Sequence, residues 1–328
     1  MLLLAVVHKI PESYYNLEVI FASIGLSRIT FRLTGDFTFL MLILGLTKGC
    51  AGTNPCPLCD QRKTTAGGSG SRWIETEDVS LRTLGSLHSN YNSWVLSGEK
   101  MSAVETRKWK GVCSLPLLPL SEEHGRGGDV QILNLIVPGP LHLFLSLNEV
   151  INYLEKTQWP EVKKVLQDVA GVQFHTYMGK IGNYEGPSIH KILRNLAKLQ
   201  PLMNGSNMQP YFTTFQAFKE VAEAIFSTNE IPSDWRRKLH HLKECVLQLH
   251  TSFGMNNTLT LQILIVHVEQ WVDVFGQSLG REGEQQGEAL HHIWKQLLES
   301  QGQPKVKESQ AFVNSIMRAL LMFDANNV

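Results

Sequence analysis

Polar and apolar side chains alternate through Arg28-Ile29-Thr30-Phe31-Arg32-Leu33, and Thr34-Gly35-Asp36 follow. This alternation predicts a strand with one solvated face, and the apolar run over residues 37–46 predicts a helix directly after it. Upstream, the apolar residues 2–7 predict a buried strand, and an amphipathic helix over residues 11–25 follows it. This β-α-β-α order favours an α/β layered unit.

Asp36 stands where the predicted strand meets the predicted helix. The carboxyl ends of strands are where α/β sheets place their chemistry, so a catalytic or metal-binding role for Asp36 is one interpretation. Aspartate is also among the best helix N-cap residues. From the residues alone, the N-cap interpretation is favoured.

Composition sets broad limits on the 328 residues. Apolar residues make up 43% and charged residues 18%, which is enough to bury a core. Lys+Arg and Asp+Glu are both 30, and a formal charge of zero excludes nucleic-acid binding by bulk charge alone. The five cysteines argue against a secreted disulfide scaffold. We identify no signal peptide and no membrane span, and predict a protein that is neither secreted nor in a membrane.

The pattern divides the chain into three segments. Residues 1–72 form the predicted α/β unit, and residues 73–136 a loosely structured insertion with one helix near residues 83–97. Residues 137–328 form a large, mostly helical region. Its predicted helices lie at residues 159–169, 188–199, 211–226, 233–253, 259–275, 284–300 and 307–323.

The stretch Asn54-Pro55-Cys56-Pro57-Leu58-Cys59-Asp60 carries a Cys-x-x-Cys motif. Two thiolates at this spacing bind one tetrahedral metal from a tight turn, but they supply only half of a site. A pair of buried thiols is the simpler alternative. A thioredoxin-like redox pair is less favoured, because no strand-to-helix turn is predicted here.

Glu284, Glu288 and His291 are spaced at i, i+4 and i+7, so they share one face of a predicted helix. Such a face binds a divalent cation when a neighbouring strand adds another carboxylate. A solvated acidic face is the alternative, and it is favoured without further information. His142 follows Pro140 and Leu141, which is typical of a packed or capping histidine, and Arg236-Arg237-Lys238 is typical of a solvated surface.

The chain resembles transposon-derived invertebrate proteins that share the layout of the DDE recombinase core of RAG and Transib type. The blocks appear in the family's order and span most of the chain. They are Phe31-Arg32-Leu33-Thr34-Gly35-Asp36 with Cys56-Pro57-Leu58-Cys59; Leu81-Arg82-Thr83-Leu84-Gly85-Ser86; Val137-Pro138-Gly139-Pro140-Leu141-His142; Gly182-Asn183-Tyr184-Glu185-Gly186-Pro187; and Gly254-Met255-Asn256 through His267 to residues 284–291.

The resemblance implies an RNase H-like fold, here truncated, with an Asp-Asp-Glu triad that binds two Mg²⁺ or Mn²⁺ ions. It implies Asp36 as the second acid and Glu284 as the third, with Glu288 as the fallback assignment. It further implies a zinc ion held by Cys56, Cys59, His267 and a fourth ligand at the position of Gln262. DNA as partner, a homo-oligomer and a nuclear location follow from the same resemblance, and no small-molecule cofactor is implied.

Two departures from the family pattern limit this expectation. The first aspartate in the sequence is Asp36, so the family's first catalytic aspartate has no counterpart in these residues. A two-metal mechanism needs a carboxylate that bridges both ions. Gln262 replaces a histidine, and an amide oxygen is a poorer zinc ligand than imidazole, so the predicted zinc site is weakened. Water, His250 and Cys245 are the alternative fourth ligands.

We therefore expect a degenerate transposase-like protein without strand-transfer activity, retained as a DNA- or protein-binding module. One alternative is a metal-dependent nuclease or transposase that is active only with a missing N-terminal segment. Another is a helical interaction protein with a vestigial site.

Overall fold

The computed structural model describes residues 32–35, 37–47, 54–64, 72–73, 79–98, 108–118, 130–173 and 183–281. The chain separates into two compact units, Met1–Glu282 and Gly283–Val328, and the second lies wholly outside these residues. Several predictions therefore concern residues that are not described. They are the strand at residues 2–7, the helices at residues 11–25, 284–300 and 307–323, and the side chains of Asp36, Glu284, Glu288 and His291.

Helices dominate the described residues. They are α1 (Phe37–Ile43), α2 (Leu84–Ser97), α3 (Ile132–Leu135), α4 (Pro140–Leu145), α5 (Leu147–Thr157), α6 (Val162–Ala170), α7 (Gly186–Arg194), α8 (Leu196–Leu199), α9 (Gln209–Ile225), α10 (Trp235–Phe253), α11 (Leu259–Gln262) and α12 (Val268–Phe275). Short 3₁₀ turns occur at Gln200–Leu202 and Leu279–Arg281, and a π-helical turn, Ile263–His267, joins α11 to α12.

Extended pairing is sparse in the described part of the chain. Strand β1 (Lys63–Thr64) pairs antiparallel with β2 (Arg72–Trp73), with Lys63 opposite Trp73. The remaining pairings there are isolated bridges: Leu33 with Ile136, Leu46 with Val112, Cys59 with Leu81 and Thr83 with Gln131.

The predicted truncated RNase H-like α/β unit is wrong, because the described residues are mostly helical and their extended pairing is limited to two short strands and isolated bridges, not the sheet that such a unit needs. Leu33, at the end of the predicted second strand, makes a single parallel bridge with Ile136, and its amide donates to the Leu135 carbonyl at 2.7 Å. The prediction relied on two short apolar or alternating runs. Runs of that length do not distinguish a strand from other buried segments.

The helix predicted near residues 83–97 begins and ends at local capping signals. The Thr83 hydroxyl accepts from the Ser86 amide at 3.0 Å, and the Ser86 hydroxyl lies 3.1 Å from the Thr83 amide, so each side chain caps the other's backbone. Gly98 ends the helix in the left-handed conformation, with φ of 66°. This helix follows directly after Arg82, which lies beside the candidate site described below.

Helices α9 and α10 form the centre of the core and pack against each other. Their fully buried side chains recur every three or four residues: Tyr211, Phe215 and Phe218 on α9, and Leu239, Leu242, Val246 and Leu249 on α10. This spacing is what predicts amphipathic helices in the sequence. Within the part of the chain that the structure describes, no helix has both the length and the apolar character needed to cross a membrane.

Replacement of Leu242 by alanine should lower the free energy of unfolding by about 2–5 kcal/mol, because it leaves a cavity in the α9–α10 core. Leu96→Ala on α2 is the matched control. Leu96 is 86% exposed, so its loss should change the free energy of unfolding by less than about 0.5 kcal/mol. Urea denaturation of both variants measures the difference, and equal effects would contradict the assigned core.

Candidate metal centre

The segment Asn54–Asp60, which we call the knuckle, presents both sulfurs of its Cys-x-x-Cys motif to the protein interior. Cys56 and Cys59 are fully buried, as is Leu58 between them. The Asn54 side chain donates to the Asp60 carbonyl at 2.7 Å and closes the turn from within. The two thiols are therefore held on one compact turn.

A neighbouring extended segment, Ser80–Thr83, runs along the knuckle and pairs with it. Cys59 and Leu81 form an antiparallel bridge. The Arg82 amide donates to the Leu58 carbonyl at 2.9 Å, and the Asp60 amide donates to the Ser80 carbonyl at 3.1 Å. These bonds connect the knuckle to the start of α2.

The Arg82 side chain lies inside the knuckle and is 2% exposed. Its guanidinium donates to the backbone carbonyls of Cys56, Cys59, Asn54 and Lys110, at 3.0, 2.8, 3.1 and 2.8 Å. Burial lowers the pKa of Arg82, whereas the nearby cysteines and Asp60 raise it. Arginine remains protonated in proteins, so a permanent positive charge lies beside the two sulfurs.

His267 reaches the knuckle from the π-helical turn. The Val268 amide bonds to the Ile263 carbonyl, five residues back. Gln262, at the start of this turn, and His267, at its end, both contact the knuckle or the residue after it: Gln262 bonds to Gln61, and His267 Nε2 faces the Cys56 sulfur. Both residues are buried, with Gln262 1% exposed and His267 fully enclosed.

Cys56, Cys59 and His267 meet although the histidine lies more than two hundred residues along the chain. Their sulfur and imidazole nitrogen atoms all lie within 4.8 Å of one another. The Cys56 sulfur is 3.4 Å from His267 Nε2. This buried Cys-Cys-His cluster can hold a metal ion.

The far nitrogen of His267 has a partner that orients the ring. Gln270 Oε1 lies 2.8 Å from His267 Nδ1. Because an amide oxygen only accepts hydrogen bonds, this contact suits a proton on Nδ1, and it leaves Nε2 facing the Cys56 sulfur. A hydrogen bond of this kind on the non-ligating nitrogen is common in metal sites.

The pKa values of the two thiols are shifted in opposite directions. Burial alone raises the pKa of Cys56, but a hydrogen bond from Cys59, the backbone amides of Leu58 and Cys59, and the Arg82 charge outweigh it, so the pKa falls below its ordinary value. The hydrogen bond to Cys56, burial and the charge on Cys56 raise the pKa of Cys59 far above its ordinary value. Of the two thiols, Cys56 is therefore the one that loses its proton more readily.

Gln262, the residue at the predicted fourth ligand position, also lies at the knuckle. Its Nε2 donates to Oε1 of Gln61, which is two residues beyond Cys59. Its own Oε1 is buried, and no described residue forms a hydrogen bond with it. A buried acceptor without a partner costs about 1–3 kcal/mol, and a bound cation would satisfy it.

The acidic part of the predicted site is not described. Asp36, Glu284, Glu288 and His291 all lie outside the described residues, so the approach of Asp36 to Glu284 stays a prediction. His142 lies on α4, half-buried, with its ring centroid 6.2 Å from that of Phe37. His142 therefore packs against Phe37, and it is not one of the residues of the described sulfur cluster.

The exposed basic residues near the start of α10 are engaged in ion pairs. Arg236 bonds to Glu269 at 3.0 Å and also to Asp273, and Arg237 and Lys238 bond to Asp234 at 2.8 and 3.2 Å. Because each cation has a carboxylate partner, this cluster agrees with the solvated-surface interpretation of the sequence.

Sequence reasoning did not identify Arg82, Gln270 or Gln61 as neighbours of the site. Gln270 lies three residues after His267, so a search for an oxygen one helical turn from the histidine would have found it. Gln61 and Arg82 carry no comparable signal, because only the folded chain brings them to the knuckle and to Gln262.

No protein-family model matches this chain, and no curated protein matches it.

Proposed function

We propose that Cys56, Cys59 and His267 bind one zinc ion that fastens the knuckle to the π-helical turn between α11 and α12. The observation that carries this proposal is the convergence of two sulfurs and an oriented imidazole nitrogen at one buried point. Thiolate and imidazole are the ligands that zinc prefers among protein side chains. Carboxylate-binding cations such as Mg²⁺ and Ca²⁺ do not suit this set.

The spacing of the ligand atoms fits a tetrahedral zinc ion. Zinc–sulfur bonds of about 2.3 Å and zinc–nitrogen bonds of about 2.0 Å place a sulfur and a nitrogen roughly 3.5 Å apart on the edge of a tetrahedron. The Cys56 sulfur and His267 Nε2 are 3.4 Å apart. Little movement is needed to close the site around an ion.

The burial of the cluster favours a structural role. All three ligand residues are fully buried. Catalytic zinc sites keep an open position for water or substrate, whereas structural sites are closed by four protein ligands. A closed site that joins distant segments contributes its binding free energy to folding.

The fourth ligand in this proposal is the side-chain oxygen of Gln262. It is a buried acceptor that has no hydrogen-bond partner among the described residues. Its Nε2 bond to Gln61 holds the amide at the end of the knuckle. Because an amide oxygen is a weaker ligand than imidazole, the site binds zinc less tightly than a Cys₂His₂ site.

For the whole chain, we propose a transposon-derived protein that does not cleave DNA and serves as a DNA- or protein-binding module. Support comes from the resemblance to DDE recombinases, which names Cys56, Cys59 and His267 as ligands of one ion. Residues that this resemblance links across the chain do lie together. Within these 328 residues no aspartate precedes Asp36, so they do not supply the bridging carboxylate that the family places upstream of it.

Zinc should bind with a stoichiometry close to one ion per chain, and Cys59→Ser should abolish this binding, because the remaining ligands cannot enclose the ion. With free zinc held a thousandfold above the dissociation constant, the free energy of unfolding should rise by about 4 kcal/mol. Metal analysis and chelator-dependent denaturation measure both quantities. A folded wild-type protein that takes up no zinc would refute the proposal.

Gln262→His should tighten zinc binding by roughly tenfold or more, about 1.4 kcal/mol, because imidazole replaces an amide oxygen. Gln262→Ala should weaken it. Gln248→His is the matched control, since Gln248 is exposed on α10 and lies outside the site. Competition with a chromogenic zinc chelator compares the variants, and an unchanged affinity in both Gln262 variants would exclude Gln262 as a ligand.

The purified chain should leave supercoiled DNA intact in the presence of Mg²⁺ or Mn²⁺, because a two-ion site needs a bridging carboxylate that these residues do not supply. Gel electrophoresis of the plasmid detects nicking directly. Nicking that disappears in Asp36→Ala would contradict the non-catalytic proposal and favour the nuclease alternative.

A further inference from the structure

Arg82 touches the backbone of both cysteine ligands without being a ligand itself. Its Nε donates to the Cys56 carbonyl at 3.0 Å and to the Cys59 carbonyl at 2.8 Å. One nitrogen therefore joins the two ends of the Cys-x-x-Cys turn. This fixes the distance between the two backbone positions from which the thiols project.

A second nitrogen of Arg82 extends this arrangement beyond the cysteines. Nη2 donates to the Asn54 carbonyl at 3.1 Å and to the Lys110 carbonyl at 2.8 Å. The four carbonyls face one buried point, and in the 2% exposed environment of Arg82 little water is available to satisfy them. A planar guanidinium provides several donors in fixed directions, which a lysine ammonium does not.

The loop at Lys110 and Gly111 closes over the same point. Lys110 has φ of 53° and Gly111 has φ of 87°, so both adopt left-handed backbone conformations. A Cβ atom at position 111 would lie 3.0 Å from the Asn54 carbonyl oxygen, which explains the glycine. The Lys110 side chain forms an ion pair with Asp60, directly after Cys59.

We propose that Arg82 is the positioning residue of the metal centre: its guanidinium preorganises the Cys56–Cys59 turn for an ion and couples the turn to the Lys110–Gly111 loop. This inference rests on the proposed metal binding at Cys56, Cys59 and His267. The role depends on the fixed donor directions of the planar guanidinium as well as on its charge. A lysine at position 82 keeps the charge but lacks these fixed donors, so it does not replace the arginine.

The test compares Arg82→Lys, which keeps the charge, with Arg82→Met, which keeps much of the length but loses the charge. Both variants should lose zinc affinity by about 10–100-fold, the usual effect of removing a group that orients metal ligands. Arg236→Lys and Arg236→Met are the matched controls. Arg236 is 52% exposed on α10, and its variants should bind zinc as the wild type does.

Chelator competition measures the affinities, and far-UV circular dichroism establishes that each variant retains its helices. Cobalt(II) absorption adds a readout specific to the site, because misplaced thiolates change the sulfur-to-cobalt bands while a distant loss of stability does not. If Arg82→Lys binds zinc as tightly as the wild type does, the proposed role of the guanidinium geometry is refuted. Loss of helical structure in both Arg82 variants would also overturn the proposal, because Arg82 would then serve general stability.

A second measurement does not depend on zinc. In protein stripped of metal, iodoacetamide should modify Cys56 and Cys59 faster in Arg82→Lys, which keeps the positive charge, than in the wild type, while the buried Cys245 on α10 keeps its rate. Peptide mass spectrometry resolves the sites. If the wild type binds no zinc, the proposed function fails, and this experiment still decides the role of Arg82: equal rates at Cys56 and Cys59 would refute it.

Discussion

The meeting of the knuckle with His267 is the contact on which the described architecture depends. It joins two cysteines and a histidine separated by 211 residues in sequence, and it does so in a fully enclosed environment. Bringing such distant segments together costs chain entropy. The zinc ion that we propose would offset that cost through its bonds to the knuckle and to the π-helical turn.

Much of the helical structure could be predicted from the sequence, because apolar residues three and four positions apart define the buried faces of α9 and α10. Helix α2 could be predicted for a different reason: Thr83 and Gly98 mark its ends with capping signals. These are local properties. Each helix carries in its own residues the periodicity or the caps that identify it.

The sheet prediction had no comparable support. The alternation up to Leu33 is short, and in the fold Leu33 pairs only once, with Ile136, across about a hundred residues.

The candidate site likewise has one part that could be predicted from the sequence and another that could not. The Cys-x-x-Cys spacing could be predicted to favour a metal turn, and the family resemblance named His267. The burial of Arg82 among four carbonyls could not be predicted, because it depends on contacts made by the whole fold.

The central claim is that one ion lies between the knuckle sulfurs and His267. X-ray absorption at the zinc edge of the purified protein tests it most directly. The account predicts two sulfur neighbours at about 2.3 Å and two nitrogen or oxygen neighbours at about 2.0 Å. A first shell made only of nitrogen and oxygen, or a folded protein without zinc, would contradict it.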